Sequence, residues 1–223
     1  IDCGNAGAAI NAPEIFKSLG IEIEELYCEP DGTFPNHHPD PTVENNLIDL
    51  IDLMKSGNYD VGFAFDGDAD RVGVVDEKGH VLWADELMSI FLPDIIKNGE
   101  DILFDVKCSQ ALEDMINHYG GNPIMWKTGH SLIKQKMTEV GCKFGGEMSG
   151  HIFFADDYYG YDDAIYVAAR LLELLSKTNK SLSELRSIIP VYHSTPEMRM
   201  EAKDDEEKFK ITKKAIEYFT KNY

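Results

Sequence analysis

The sequence predicts an α/β fold, on three observations. Short apolar, strand-like runs alternate with helical patterns along most of the chain. Glycine and proline punctuate the runs, as at Gly20 and in PDGTFPNHHPDP. One segment carries an unambiguous helical stripe: Ala164, Ile165, Ala168, Leu171, Leu172 and Leu175. The alternation favours parallel or mixed sheets with flanking helices. In order, IDCGNAG reads as a strand end and a glycine turn. NAPEIFKSLG reads as a helix stopped by Gly20. IEIEELYCE alternates apolar and acidic residues, as a strand does. Asp40-Pro41 suits a helix N-cap and first helical position. Val43, Leu47, Leu50, Ile51 and Met54 follow at helical spacing. YDVGFAF and RVGVVD are short strands, DEKGH turns the chain, and VLWA leaves it.

A second set of strand–helix units begins near residue 84. The predicted helices are ADELMSIFLPDIIKNG, SQALEDMINHYG, HSLIKQKMTEVG and the stripe at 164–175. The predicted strands are DILFDVK, NPIMWKT and the run CKFGGEMSGHIFF. From Ser194, STPEMRMEA suits a strand and the next twenty residues a helix. One strand and one helix bury little core alone, so this tail reads as a domain cut short.

The chain has 223 residues, 43% of them apolar, enough for two small cores. Its 21 basic and 40 acidic side chains give a formal charge of -19. No basic stripe appears, which excludes a nucleic-acid or anionic-membrane partner but not a small anionic substrate. The four cysteines stand far apart with no Cys-x-x-Cys pair, so a zinc site is not expected. Free thiols in a reducing, cytoplasmic compartment are expected instead. No apolar run is long enough to span a bilayer. Ile1-Asp2-Cys3-Gly4 reads like the inside of a domain, so the chain is expected to be an excised piece.

FDGDADR, Phe65 to Arg71, places Asp66, Asp68 and Asp70 at alternate positions and then a cation. Three carboxylates this close repel unless a divalent cation sits among them or they splay into water. The run lies directly between two apolar strands, where α/β folds place chemistry, so a plain solvated turn is the weaker reading. A helix-loop-helix calcium loop is rejected, because its sixth position should be Gly and is Arg71. Three carboxylates with open positions suit Mg²⁺.

These residues resemble a known family. FDGDADRVGVVD is similar to the metal-binding loop of the α-D-phosphohexomutases, and GGEMSGH to their sugar-binding loop. FDVKCS, MWKTGHSLIK and YCEPDGTFPNHHPDP are further matches, so the resemblance covers nearly the whole chain. It is closest to the bacterial phosphomannomutase/phosphoglucomutase branch, which Met148 also resembles. The resemblance implies four domains in the whole enzyme, of which this chain holds part. Residues 1–82 correspond to the second domain, 83–192 to the third, and 193–223 to the start of the fourth. The serine loop of domain 1 and the phosphate clamp of domain 4 are not in this sequence.

The resemblance implies transfer of a phosphoryl group between O1 and O6 of a hexose, by way of a phosphoserine and a bisphosphate. The substrates implied are mannose or glucose 1- and 6-phosphate. The partners are the remaining domains 1 and 4 of the same enzyme. Asp66, Asp68 and Asp70 would hold one Mg²⁺, completed by a phosphoserine absent from this chain. Arg71 would reach the phosphoryl group or only balance the carboxylates. Glu147 and Ser149 would bind vicinal sugar hydroxyls, with nearby glycines letting the backbone approach the ligand. Thr128, Gly129 and His130 would make a secondary phosphate contact at a helix start. Lys107, His130 and His151 are the candidates for proton transfer, and the sequence does not rank them. His37-His38 is read as structural, since neighbours on an extended loop point apart. Asp156-Asp157 and Asp162-Asp163 are read as loop and helix N-terminal charges. The alternatives are a phosphoglucosamine mutase, a single-specificity phosphoglucomutase, or a non-catalytic sugar-phosphate or metal-binding module. The fragment alone is expected to turn nothing over.

Overall fold

The computed structural model describes residues 1–193 and 201–222. They divide into two units, Ile1–Tyr192 and His193–Tyr223. The first unit opens on an extended stretch whose Asp2 bridges both Leu26 and Ala64 in parallel. Helix α1 follows at Ala8–Ser18, three residues earlier than its pattern predicts. Ala8, Ala12 and Phe16 are buried at four-residue spacing, and Phe16 stacks on Phe63 at 6.2 Å between ring centroids. The predicted strand over IEIEELYCE is reduced to a single bridge at Leu26. Its hydrogen-bonding neighbour is the short stretch at residues 1–5, through Cys3 N–H to the Leu26 carbonyl and Asn5 N–H to the Tyr27 carbonyl.

Asp40 is not a helix cap. Its carboxylate closes a local turn by accepting from the Thr42 N–H and hydroxyl. A 3₁₀ turn, Glu44–Leu47, leads into helix α2 at Ile48–Lys55. Leu47, Leu50, Ile51 and Met54 are buried as their spacing predicts, whereas Val43 is exposed. Strands β1 (Val61–Phe65), β2 (Val72–Asp76) and β3 (Val81–Leu82) form an antiparallel sheet in that order. Phe65 pairs with Val72, so the aspartate loop closes a hairpin. The expectation of parallel strands fails here because β1 and β2 are joined by six residues. A parallel crossover needs a dozen or more.

Helix α3 (Ala84–Ile95) leads to a second sheet. Its strands are β4 (Asp101–Asp105), β5 (Asn122–Trp126), β6 (Phe144–Gly146) and β7 (Ile152–Phe154). Helix α4 (Gln110–His118) joins β4 to β5, and α5 (His130–Val140) joins β5 to β6. The spatial order is β5-β4-β6-β7, with the first three parallel and β7 antiparallel. This mixed α/β architecture agrees with the predicted class. Ser109 caps α4, and Gly141, at φ 73°, ends α5 in the left-handed conformation. Helix α6 (Ala164–Ser176) is capped by Asp163 and buries Ala164, Val167, Ala168 and Leu171. The short helix α7, Leu182–Arg186, was not foreseen.

One apolar cluster runs through the unit. It joins Phe16, Phe63 and Val74 to α6, and α6 to Phe91, Phe104, Phe144 and Phe154. Phe91 meets Phe154 edge-on at 5.1 Å, and Phe144 lies 4.9 Å from Phe154. Removing a ring from such a site costs about 3–5 kcal/mol. In the second unit, helix α8 spans Asp205–Asn222 and buries no residue. The predicted strand at STPEMRMEA lies almost wholly outside the described residues.

Candidate functional site

The aspartate loop owes its shape to Asp66. This side chain is 2% exposed at the end of β1. Its Oδ1 accepts from the backbone N–H groups of Asp70 and Arg71, at 3.0 and 3.1 Å. Its Oδ2 accepts from Arg71 Nε at 2.7 Å. The turn also needs Ala69 at φ 63°, a conformation a small side chain tolerates best. The carboxylates of Asp66, Asp68 and Asp70 offer one oxygen each, all within 4.8 Å of one another. Burial pushes the Asp70 carboxyl up, and the Asp66 and Asp68 charges add to it. Even with His151 opposing, it stands at about 6. Burial is the larger cause of this rise, and the neighbouring carboxylates add to it. The donor set and its crowding fit a hard divalent cation taking oxygen ligands. Asp66 Oδ1 already accepts two hydrogen bonds, but Oδ2 accepts one and keeps a second lone pair to offer.

Arg71 sits among three carboxylates. Besides Asp66 it reaches Asp40 Oδ1 from its Nη1 at 3.2 Å, and its Nε lies 4.0 Å from Asp70. Asp40 comes from the proline-punctuated loop, and the sequence pattern marked it only as a helix cap.

The second candidate element is the turn between β6 and β7, Glu147 to His151. Gly150, at φ 102°, presses on β2: an added Cβ would lie 3.0 Å from the Val72 carbonyl. Val72 N–H also donates to the Gly150 carbonyl at 3.3 Å. Gly146 is packed against Met88 and the His151 carbonyl. These glycines were expected to admit a ligand; in the structure they admit the protein's own neighbouring strand and helix. Glu147 is 2% exposed, and its Oε1 accepts from Gly129 N–H at the start of α5. That N–H belongs to the predicted secondary phosphate contact. The Met148 N–H donates to Asp105 Oδ1 at 3.0 Å, and the Thr128 hydroxyl to Asp105 Oδ2 at 2.7 Å. Asp105, fully buried at the end of β4, thus ties the two loops together. Ser149 is half-buried on the turn, and Lys107 is exposed on the turn after β4, two residues beyond the strand it was expected to end.

His130 and His151 stack, with ring centroids 5.3 Å apart and planes at 18°. Both bring Nδ1 close to the same carboxylate oxygen, Asp162 Oδ2, at 3.3 and 3.0 Å, as ion-pair contacts rather than hydrogen bonds: among the described residues, His151 Nδ1 and Asp162 Oδ2 are buried without a hydrogen-bond partner. Lys134 completes the cluster, its Nζ 2.7 Å from Asp162 Oδ1. Burial works against the His151 imidazolium, but Asp162, Asp70 and Glu147 outweigh it and hold its pKa above the ordinary value. Burial likewise works against the Asp162 carboxylate, yet His151 and Lys134 hold its pKa far below the usual range. His151 Nδ1 lies 3.6 Å from Asp70 Oδ1, so the cluster adjoins the aspartate loop. Asp70, His151 and Asp162 also meet the distance test for a cation site, but the imidazole occupies the space between the two carboxylates as an ion-pair partner.

Sequence reading missed Asp162, Asp105 and Asp40. Asp162 had a signal: helix capping explains one acid of the Asp162-Asp163 pair, through the 3.0 Å bond from Tyr166 N–H to Asp163, and leaves the other unexplained. His37 is structural, as expected, with its Nε2 3.0 Å from the buried Asp2 carboxylate. Asp156 pairs with Arg170 at 3.1 Å.

Two models of one family match the chain. The domain II model of phosphoglucomutase/phosphomannomutase covers residues 1–79, and the domain III model covers residues 83–192. A phosphomannomutase/phosphoglucomutase of Pseudomonas aeruginosa is 50% identical over 207 residues, which are 92% of this chain and 45% of that one. A phosphoglucomutase of Neisseria meningitidis is 46% identical over 202 residues, 90% of this chain and 44% of that one. A crystal structure of a Burkholderia thailandensis protein of the same family superposes with a TM-score of 0.84 at 46% identity, covering 87% of this chain and 43% of that one. The chain therefore spans a little under half the length of the curated relatives it matches. With both domain models matched in order and half the residues shared with a relative, the chain belongs to the phosphoglucomutase/phosphomannomutase family, carrying its domains II and III.

Proposed function

We propose that this chain is the central part of a phosphohexomutase that interconverts hexose 1-phosphates and 6-phosphates. Residues 1–82 act as its second domain, 83–192 as its third, and 193–223 as the start of its fourth. One observation carries the reading: the aspartate loop and the His151 turn adjoin, with Asp70 and His151 3.6 Å apart. A group of acceptors suited to a cation and a group of hydrogen-bonding and basic side chains therefore open on one place. That is what phosphoryl transfer requires, since such transfers depend mostly on positioning and charge neutralisation.

Asp66, Asp68 and Asp70 hold Mg²⁺, and Arg71 keeps the loop's charge in balance while Asp66 fixes its backbone. When bound, the cation neutralises charge on a phosphoryl group. Glu147 and Ser149 orient the sugar through its hydroxyls. Thr128, Gly129 and His130 contact its phosphate once the Thr128 hydroxyl and the Gly129 N–H exchange Asp105 and Glu147 for it, and Lys107 adds an exposed cation. His151 is the proton carrier: Asp162 Oδ2 lies 3.0 Å from its Nδ1 and supports the imidazolium, and Nε2 is the atom that takes a proton from the attacking hydroxyl or returns one to the leaving oxygen. The phosphoryl donor is a phosphoserine on a domain outside this chain, and the partner segments are the remaining domains 1 and 4. The substrates are mannose and glucose phosphates and the bisphosphate between them.

The test is phosphomutase activity of a protein extended to the length of its relatives, on mannose 1-phosphate and glucose 1-phosphate. Activity that EDTA removes and Mg²⁺ restores is expected, with none from the 223-residue chain alone. Full activity of the Asp68→Ala enzyme without divalent cations would overturn the metal assignment. No turnover of either sugar phosphate by the extended protein would overturn the whole reading.

A further inference from the structure

Two of the four cysteines are inert by position. Cys142 is buried, and burial pushes its thiol up. Cys108 lies against Asp105, and burial with that carboxylate pushes its thiol up further. The other two differ. Cys3 and Cys28 come from segments far apart in sequence, yet their Sγ atoms share a hydrogen bond at 3.1 Å. Backbone bonds hold the segments in register. Leu26 N–H donates to the Ile1 carbonyl at 2.8 Å, Cys3 N–H to the Leu26 carbonyl at 3.0 Å, and Asn5 N–H to the Tyr27 carbonyl at 2.8 Å.

The pair is asymmetric. Cys3 is fully buried, while Cys28 is half-buried and open to solvent on one side. The hydrogen bond with Cys3 lowers the Cys28 thiol pKa against the effect of burial, and the same bond raises that of Cys3. An accessible, more acidic thiol beside a buried one is the arrangement of an attacked and a resolving cysteine.

We propose that Cys3 and Cys28 form a redox-modification site that closes to a reversible disulfide under hydrogen peroxide. In the first step the Cys28 thiolate attacks a peroxide oxygen. The O–O bond breaks, hydroxide leaves and takes up a proton, and Cys28 becomes a sulfenic acid. In the second step the Cys3 sulfur attacks the Cys28 sulfur. The S–S bond forms, the S–O bond breaks, and water leaves with the Cys3 proton. The two thiols thus supply two electrons, which reduce one peroxide to two waters. The sulfurs must close by about 1 Å to reach bonding distance, a movement the half-buried Cys28 side chain can make. A dithiol reverses the reaction by exchange.

The bond would sit behind the aspartate loop. Gly7, four residues after Cys3, donates its N–H to the Gly67 carbonyl at 3.1 Å. Cys28 begins the loop that ends at Asp40, the partner of Arg71. The disulfide would therefore fasten together the two segments that flank the metal-binding candidate.

The test exposes the undenatured chain to a small excess of hydrogen peroxide, blocks remaining thiols with iodoacetamide in urea, and maps tryptic peptides without reduction. The peptide ending at Lys17 should appear linked to Ser18–Lys55, about 2 Da lighter than the two summed. Dithiothreitol should separate them, and Cys108 and Cys142 should be recovered alkylated. In Cys3→Ser, oxidation should stop at a sulfenic acid on Cys28 that dimedone traps; in Cys28→Ser, Cys3 should stay reduced. The proposal is overturned if Cys28 of the unsubstituted chain oxidises while Cys3 is recovered as a free thiol. Preferential oxidation of Cys108 or Cys142, or a Cys3–Cys28 link that forms only in urea, overturns it equally. The unsubstituted chain decides the matter even where a variant does not fold.

Discussion

The aspartate loop and the histidine cluster adjoin, and they are built by opposite means. The loop is local. Asp66 satisfies the N–H groups of Asp70 and Arg71 and pairs with the Arg71 side chain, all within one hairpin turn. The cluster is assembled from three separate places: His130 and Lys134 on α5, His151 before β7, and Asp162 before α6. A local site shares its residues with the fold, so substitution damages both. An assembled site hangs on a finished fold, so substitution damages chemistry first.

The largest effect should come from Asp66→Ala. It leaves Arg71 and two backbone N–H groups without their buried acceptor, at a cost of about 3 kcal/mol in urea unfolding. Asp68 is exposed, so Asp68→Ala should stay within about 0.5 kcal/mol of the unsubstituted chain while losing cation affinity. Equal stabilities for the two variants would break the contrast. Next comes Asp162→Asn in the full-length enzyme. The fold should survive, and kcat should fall about 100-fold with KM little changed, because the amide keeps the side chain's size while the histidine pair and Lys134 lose their shared carboxylate. A large loss of stability with unchanged kcat in the folded fraction would make the cluster structural.

Glu147→Gln should act between the two regions. The amide oxygen can still accept from Gly129 N–H, so the fold should hold while sugar-phosphate affinity drops about tenfold. Isothermal titration with glucose 6-phosphate measures this, and an unchanged affinity would remove Glu147 from the site. The smallest effect concerns the turn after β2. Glu77 accepts from the Ser181 hydroxyl at 2.7 Å, the Ser183 N–H at 3.1 Å and the Ser183 hydroxyl. Burial opposes the charge, but these donors pull its pKa down to about 2. A depressed carboxyl contributes stability above its unfolded pKa of about 4.3, and that contribution is lost as pH falls toward 2. Glu77→Gln should therefore cost less than about 1 kcal/mol at pH 7, with the gap in Tm closing as pH falls from 5 to 2. A gap constant across that range would mean the charge of Glu77 does nothing.

What could be read from the sequence follows the same division. The aspartate loop was legible because its spacing and its cation lie in seven consecutive residues, with its flanking strands directly on either side. The helices at 48–55 and 164–176 were legible from their apolar stripes. Strand direction was not: alternating strand and helix signals suggested parallel pairing, while β1 and β2 form a hairpin. Asp40 read as a helix cap because Asp-Pro suits one, yet its carboxylate is engaged by Thr42 and Arg71. Asp162 and Asp105 were illegible for a stronger reason. Their partners lie 11 to 43 residues away, and nothing in a local pattern marks which acid meets which base.

Helix α6 and its cluster of buried side chains carry a mechanical consequence. Phe16 and Phe63 on one side, and Phe104 and Phe144 on the other, belong to one continuous apolar mass. The Ala69 carbonyl accepts from the Ala164 N–H at 3.0 Å, and the Gly150 carbonyl from the Val72 N–H at 3.3 Å. The aspartate loop and the turn between β6 and β7 are thus bolted to the same plate, and neither can slide past the other without opening a core.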